Sequence, residues 1–287
     1  MPKCLVNWGL VALWFCLTTV LHSQTNRNTK PAPQRIVSMS LASDEILSAL
    51  LPNKQRLVAT SALAHNKRYS NINHLFDSSS STPQVATDIE KVANFQPDMV
   101  ICSVFNQPQF IFALKRLQLP HLMLGKFTSI NDILTNIISI GKAVQAEAQA
   151  EILVKTLKQR LSNMHPPPNK TLRKPLVLNF FADYTLMGAN TMYDSIVKHA
   201  GASNVAATIV KGFRKVSIET LVTLKPDFII VPTGIYDPLP RIQQLQGWKN
   251  LAAVKAKRFI HVPAKELLAT SQYAISASEK IYVALKP

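Results

Sequence analysis

Three cysteines serve all 287 residues, and only 8 glycines and 16 acidic side chains accompany 32 Lys and Arg. Each shortage excludes something. Glycine is missing where a nucleotide would need backbone at close approach: there is no Gly-rich phosphate loop. A nucleophile elbow of the form Gly-Xaa-Ser-Xaa-Gly and a His-Glu-Xaa-Xaa-His pair are absent as well. An enzyme on this chain would have no sequence signature, and no catalytic residue is assigned. Nor does any pair of histidines share the close helical spacing of a metal-ligand pair, and there is no histidine-rich loop.

The uncharged apolar stretch from Trp8 to Leu21 is shorter than the roughly 20 residues that a membrane-spanning helix needs. With the basic Lys3 before it and the small Ser23 after it, residues 1–23 read as a cleaved signal peptide, although Leu21 departs from the small residue expected two positions before the cut. Cys16 follows Phe15, where lipid attachment needs a small residue, so no lipid anchor is expected. Export would remove Cys4 and Cys16 and leave Cys102 alone, which rules out a disulfide framework. Following the apolar run "DMVI", Cys102 reads as a small hydrophobe without chemistry.

The acid shortage leaves a net charge of +16. In an exported protein, nucleic acid is not the expected partner; an anionic ligand, an acidic partner or an anionic envelope surface is.

What is present is a repeated grammar. "TDIEKVANFQPDMVI" from Thr87 to Ile101 and "VSIETLVTLKPDFII" from Val216 to Ile230 share Ile-Glu, then Pro-Asp, then an apolar run. Each reads as a helix ended by proline and a buried strand entered through Asp98 or Asp227. Thr87 and Glu90 form the pattern of a capping box, whereas no Ser or Thr stands three residues before Glu219. Around the first copy, "RIVSMS", Leu41 to Leu51, "QRLVAT", "QPQFIFALKRLQ" and "LPHLMLG" alternate strand and helix, and a polar loop runs from Asn71 to Ser81. Around the second, "LVLNFF", "MYDSIVKHAG", the strand-like "NVAA", "PRIQQLQGW", "RFIHVP" and a final helix over Ser276 to Leu285 do the same. Between them, Ile133, Ile137, Ile140, Val144, Ala148, Ile152, Leu157 and Leu161 recur at helical spacing without proline, which predicts one helix of roughly 50 Å.

The fold class is therefore α/β: two Rossmann-like lobes with mostly parallel sheets, joined by one long rigid α-helix. The divisions are a signal peptide (1–23), a mature tail (24–34), an N-terminal lobe (35–128), the bridging helix (129–165) and a C-terminal lobe (166–287). Open α/β sheets place ligands beyond the carboxyl ends of their strands. The loops there carry Ser40, Ser43, His65, Lys67, Arg68, Tyr69, Phe105 and Asn106 in the first lobe, and Asp183, Tyr184, Phe213, Arg214, Tyr236 and Lys265 in the second. The aromatic residues can stack on a planar ligand and the cations can pair with its carboxylates.

"RIVSMS" followed by "SDEILSAL", the two Ile-Glu to Pro-Asp units, "AGASNVAA" and "WKNLAAVKAKRFIHVP" together resemble the periplasmic substrate-binding proteins of bacterial importers for iron chelates, haem and vitamin B12. The resemblance spans almost the whole mature chain. It implies a monomeric periplasmic receptor, not an enzyme, that captures a ferric siderophore, haem or cobalamin between its lobes and closes only slightly around it. No resident cofactor is implied, since the chelate is cargo. It further implies that Glu90 and Glu219 dock onto arginines of an ABC permease dimer in the inner membrane. Two departures touch the cleft: Leu41 stands where the family usually has proline, and Asp44 where it has threonine, beside the matching Glu45. Competing readings are a Zn or Mn receptor of the same architecture using His65, His121 and His199, and a nontransporting sensor module for which Glu90 and Glu219 are dispensable.

Overall fold

Strand and helix alternate from Ile36 onward in a computed structural model that describes residues 31–76, 82–164, 176–179, 184–235 and 239–286. The expected signal peptide lies outside the described residues. The first half contains β1 (Ile36–Ser38), α1 (Leu41–Leu50), β2 (Leu57–Ser61), β3 (Gln84–Val85), α2 (Ile89–Asn94), β4 (Met99–Ser103), α3 (Pro108–Arg116) and β5 (His121–Leu124). Next come α4 (Ile130–Ala143) and α5 (Glu147–Ser162). The second half contains β6 (Leu176–Asn179), β7 (Thr185–Met187), α6 (Met192–His199), β8 (Ser203–Asn204), β9 (Phe213–Lys215), α7 (Ile218–Thr223) and β10 (Phe228–Thr233). It ends with α8 (Leu239–Gln244), α9 (Ala252–Lys255), β11 (Phe259–Pro263), α10 (Ala264–Leu267) and α11 (Tyr273–Ala284).

Two parallel sheets result, ordered β3-β2-β1-β4-β5 and β11-β10-β6-β8. Their central strands alternate between two buried faces, which is why they read as unbroken apolar runs. In β4, Val100 and Cys102 pack with Phe110 and Leu114 on one face while Ile101 turns to the other. In β10, Ile229 and Val231 join Trp248 while Ile230 turns inward. The inward faces of both sheets share one core with α1, α4, α5, α6 and α11, through Ile46, Ile133, Leu157, Ile196 and Ile275. An apolar spine thus runs continuously from one sheet to the other.

The long bridging helix is corrected: it is two helices. Val144 caps α4, Gln145 takes a left-handed φ of 52°, and the amides of Gln145 and Ala146 close back onto the carbonyls of Lys142 and Gly141. That pair of bonds is a Schellman stop. The chain then turns so tightly that a Cβ on Gly141 would lie 2.5 Å from the Cβ of Ala150. The apolar spacing continues through the break because both helices bury the same stripe, so periodicity alone does not show it.

The repeated units also differ in detail from the sequence reading. Asp88, not Thr87, caps α2, accepting from the amides of Glu90 and Lys91, so the Thr87 to Glu90 capping box does not form. Ser217 caps α7 in the equivalent place, accepting from Thr220. "NVAA" contributes only Asn204 to the two-residue β8 before a single helical turn over Val205–Thr208, and the last helix begins at Tyr273 rather than Ser276. The antiparallel pair β7 and β9 has no counterpart in the sequence reading.

Candidate functional site

The loops after β1, β2, β4 and β5 face Met187, Asn190 to Tyr193, Phe213 and Lys265 to Thr270 across two adjoining cavities. One, of about 320 Å³, is almost wholly apolar, walled by Phe105, Phe127, Met187, Met192, Phe213 and Leu268, with Lys126 at its edge. The other, of about 590 Å³, is also mostly apolar, but its wall includes Ser40, Glu45, Ser61, Tyr69 and Lys265. Phe105, Leu268 and Thr270 border both. Both volumes fall in the range of small-molecule sites, and the place at the carboxyl ends of parallel strands is the usual one.

Phe105 is 66% exposed, with its ring 5.3 Å from that of Phe127. Asn106 holds this loop: its carbonyl accepts from the Ser103 amide at 2.8 Å and its amide donates to the Met39 carbonyl at 3.0 Å. Asn106 is therefore a strut between the ends of β4 and β1, and it presents Phe105 without itself walling a cavity. Ser40 caps α1 and Ser43 is buried behind it, hydrogen-bonded to Ser38 and Ser40.

Of the residues named from sequence, Ser40, Tyr69, Phe105, Phe213 and Lys265 meet at the cavities. His65 turns to Thr60 at 2.9 Å and stacks on Phe76, and desolvation lowers its pKa. Lys67 and Arg68 are exposed nearby, outside the cavity walls. Tyr184, at a φ of 62°, packs against the outer core of the second sheet, and Arg214 is exposed on β9 opposite Leu186. Asp183 and Tyr236 lie outside the described residues. Glu90 and Glu219 are both exposed and both second in their helices, and a hydrogen bond with Ser217 holds the Glu219 carboxyl below its ordinary pKa.

Sequence reasoning assigned the site neither Glu45 nor the wall formed by Lys126, Phe127, Met187, Met192 and Leu268. Glu45 is 1% exposed although it belongs to a charged type that is almost never buried unpaired. Its Oε1 accepts from the backbone and side-chain amides of Asn71, both at 2.9 Å, and its Oε2 accepts from the Ser271 hydroxyl. Burial raises its pKa, opposed by those hydrogen bonds and by Lys265. Its neighbour Asp44, fully buried, accepts from the amide and hydroxyl of Ser61, and burial pushes its carboxyl up to about 7. The departure at position 44 thus ties α1 to the end of β2.

His121 bonds the Leu119 carbonyl at 2.9 Å and His199 the Ser195 carbonyl at 2.8 Å, on β5 and α6. Among the described residues no three His, Cys, Asp or Glu gather to hold a metal ion, and no helix is long and apolar enough to cross a membrane.

The profile of the periplasmic binding protein family matches residues 36–266. An ABC transporter substrate-binding lipoprotein of Bacillus subtilis, YvrC, is 24% identical over 267 residues, which cover 90% of this chain and 82% of YvrC. The molybdate-binding protein MolA of Haemophilus influenzae is 26% identical over 204 residues, 62% of this chain and 57% of MolA. Among solved structures, the periplasmic heme-binding protein RhuT of Roseiflexus superposes with a TM-score of 0.71 at 18% identity, covering 88% of this chain and 99% of RhuT. The periplasmic vitamin B12 binding protein BtuF of Vibrio cholerae gives 0.71 at 18% identity, covering 88% and 97%. At these identities the structural likeness speaks for the fold alone.

Proposed function

Because this chain belongs to the periplasmic binding protein family that serves ABC transporters and is not an enzyme, we propose that its cargo is a metal chelate, a ferric siderophore, haem or cobalamin, captured between the lobes. The observation that carries this reading is the pairing of the two cavities across Phe105. A chelate of this kind has a broad, weakly polar face and a polar or charged edge. The aromatic and thioether wall suits the face, and Lys126 and Lys265 suit an anionic edge. Molybdate, the ligand in MolA's name, is a small, strongly hydrated dianion, for which an apolar wall and the Glu45 carboxyl are unfavourable company.

The loaded receptor then meets an ABC permease dimer. Glu90 and Glu219 stand at equivalent places in the two repeated units, so a two-fold partner can offer each the same arginine contact. Export by a cleaved signal peptide delivers a monomer to the periplasm, where it meets the chelate and the outer face of the inner-membrane permease.

Thermal melting of the protein beginning at Gln24, followed by circular dichroism against haemin, cobalamin, ferric siderophores, molybdate, zinc and manganese, tests the reading. A ligand at 100 times its Kd adds about 2.7 kcal/mol, or roughly 5 to 10 °C for a chain of this size. A rise with one chelate identifies the cargo. A rise only with zinc, manganese or molybdate replaces the chelate reading, and no rise with any of them favours the nontransporting sensor.

A further inference from the structure

The apolar spine holds the two sheets together, but apolar burial has no direction and does not by itself fix how far apart the cavity walls stand. Hydrogen bonds do have direction. The Ile130 amide donates to Ser195 at 3.0 Å and Arg160 reaches Glu279 and Ser276, but at the wall of the larger cavity the ties between the two halves gather around one residue. Glu45, on α1, accepts at Oε2 from the hydroxyl of Ser271, which precedes α11. Its backbone carbonyl accepts from the side-chain amide of Gln272 at 2.8 Å. Its Oε1 holds Asn71, whose side-chain amide donates onward to the carbonyl of Lys265 in α10 at 2.9 Å. Three ties thus join the first half of the chain to the second around Glu45, one at its carboxylate, one at its backbone carbonyl and one through the Asn71 it holds, and Glu45 and Lys265 also wall the larger cavity.

We infer that Glu45 is a positioning residue that sets the aperture of the cleft. A buried carboxylate needs its donors, since leaving it unpaired costs far more than leaving a neutral group unpaired. Two of these donors come from Asn71, which is itself tied to Lys265, and one comes from Ser271. The lobes cannot slide past each other without breaking a charge-assisted bond at the cavity wall. Glutamine would keep the arrangement: its oxygen accepts from Asn71 and its amide donates to the Ser271 hydroxyl. Alanine would not. The inference rests on the receptor reading only in taking this cleft as the ligand site, and its test needs no ligand.

The test is a double electron–electron resonance distance between spin labels on Lys115→Cys in α3 and Lys255→Cys in α9, both exposed. The measurement uses the full chain with Cys4 and Cys16 replaced by Ser; Cys102 is buried and does not label. The parent and Glu45→Gln are expected to give one narrow distribution. Glu45→Ala and Ser271→Ala should broaden it or move its mean by more than about 2 Å, the scale of a real rearrangement. Should Glu45→Ala fail to fold, Ser271→Ala, which removes only the cross-lobe hydroxyl, decides. Distributions for the alanine variants that superimpose on the parent would overturn the inference, as would a glutamine variant as broad as the alanine one.

Discussion

Gln96 and Lys225 occupy the same place in two copies of one unit, each in the left-handed region, at φ of 45° and 43°, between a six-residue helix and a Pro-Asp pair. The helix stops there before Pro97 or Pro226 and the chain enters a central strand. Because both units begin with a capped turn carrying Glu90 or Glu219, the two acids are delivered to equivalent positions. Replacing either acid with Ala should lower transport by a reconstituted permease about tenfold, the worth of one charge-assisted hydrogen bond, and replacing both should lower it further. Chelate affinity in solution should not change. Unchanged uptake by the double variant would leave the acids only a favourable place at the positive ends of their helices.

Left-handed helix stops made without glycine are a habit of this chain, and Gln145 provides the one that splits the bridging segment. A side chain in that region costs on the order of 1 kcal/mol, which glycine does not. Gln145→Gly should therefore raise stability by about 0.5 to 1 kcal/mol in urea unfolding. Gly141→Ala should lower it by about 1 to 3 kcal/mol, because its methyl meets Ala150.

How much of this was legible in the sequence depends on which interaction decides each feature. Sheet strands are set by burial on both faces, and runs such as "MVI" and "FII" announce it. The helix break at Gln145 is set by a local backbone bond pattern that glutamine does not advertise, so an unbroken apolar stripe predicted one helix. In the site, Phe105, Phe213, Tyr69 and Lys265 are readable because loop aromatics and cations at strand ends are conspicuous. Glu45 is not: its role depends on Ser271, which lies far away in the chain and meets it only through the fold. Nor do the bonds of Asn106 to the Ser103 amide and the Met39 carbonyl show in the sequence, since Met39 meets it only through the pairing of β1 with β4.

Asp44 makes stability depend on pH with a definite sign. Burial raises its carboxyl from 3.8 to about 7 in the folded chain, so the folded state binds this proton more tightly than the unfolded one. Its contribution to stability therefore rises as pH falls through about 7 toward 4, by at most about 4 kcal/mol. Asp44→Asn should flatten that rise and should be the more stable form at pH 8. Taking the difference between the two proteins cancels the opposite trend from His65, whose lowered pKa costs stability in acid. Parallel melting curves from pH 5 to pH 8 would contradict the assignment.

Cys102 is fully buried on β4, and burial pushes its thiol up to about 12. Ellman's reagent should react with it only as fast as the protein opens, and at a normal thiol rate in denaturant. Fast reaction in the folded protein would show that the strand is accessible.

The most direct measurement is an equilibrium titration, by calorimetry, of the parent and of Phe105→Ala with haemin, cobalamin, a ferric catecholate and a ferric hydroxamate. The account predicts one-to-one binding of one of these at about micromolar Kd or tighter. It also predicts at least a tenfold loss, about 1.4 kcal/mol, when the ring between the two cavities is removed. Equal affinity in the two proteins, or no chelate bound while molybdate or zinc binds, would contradict it.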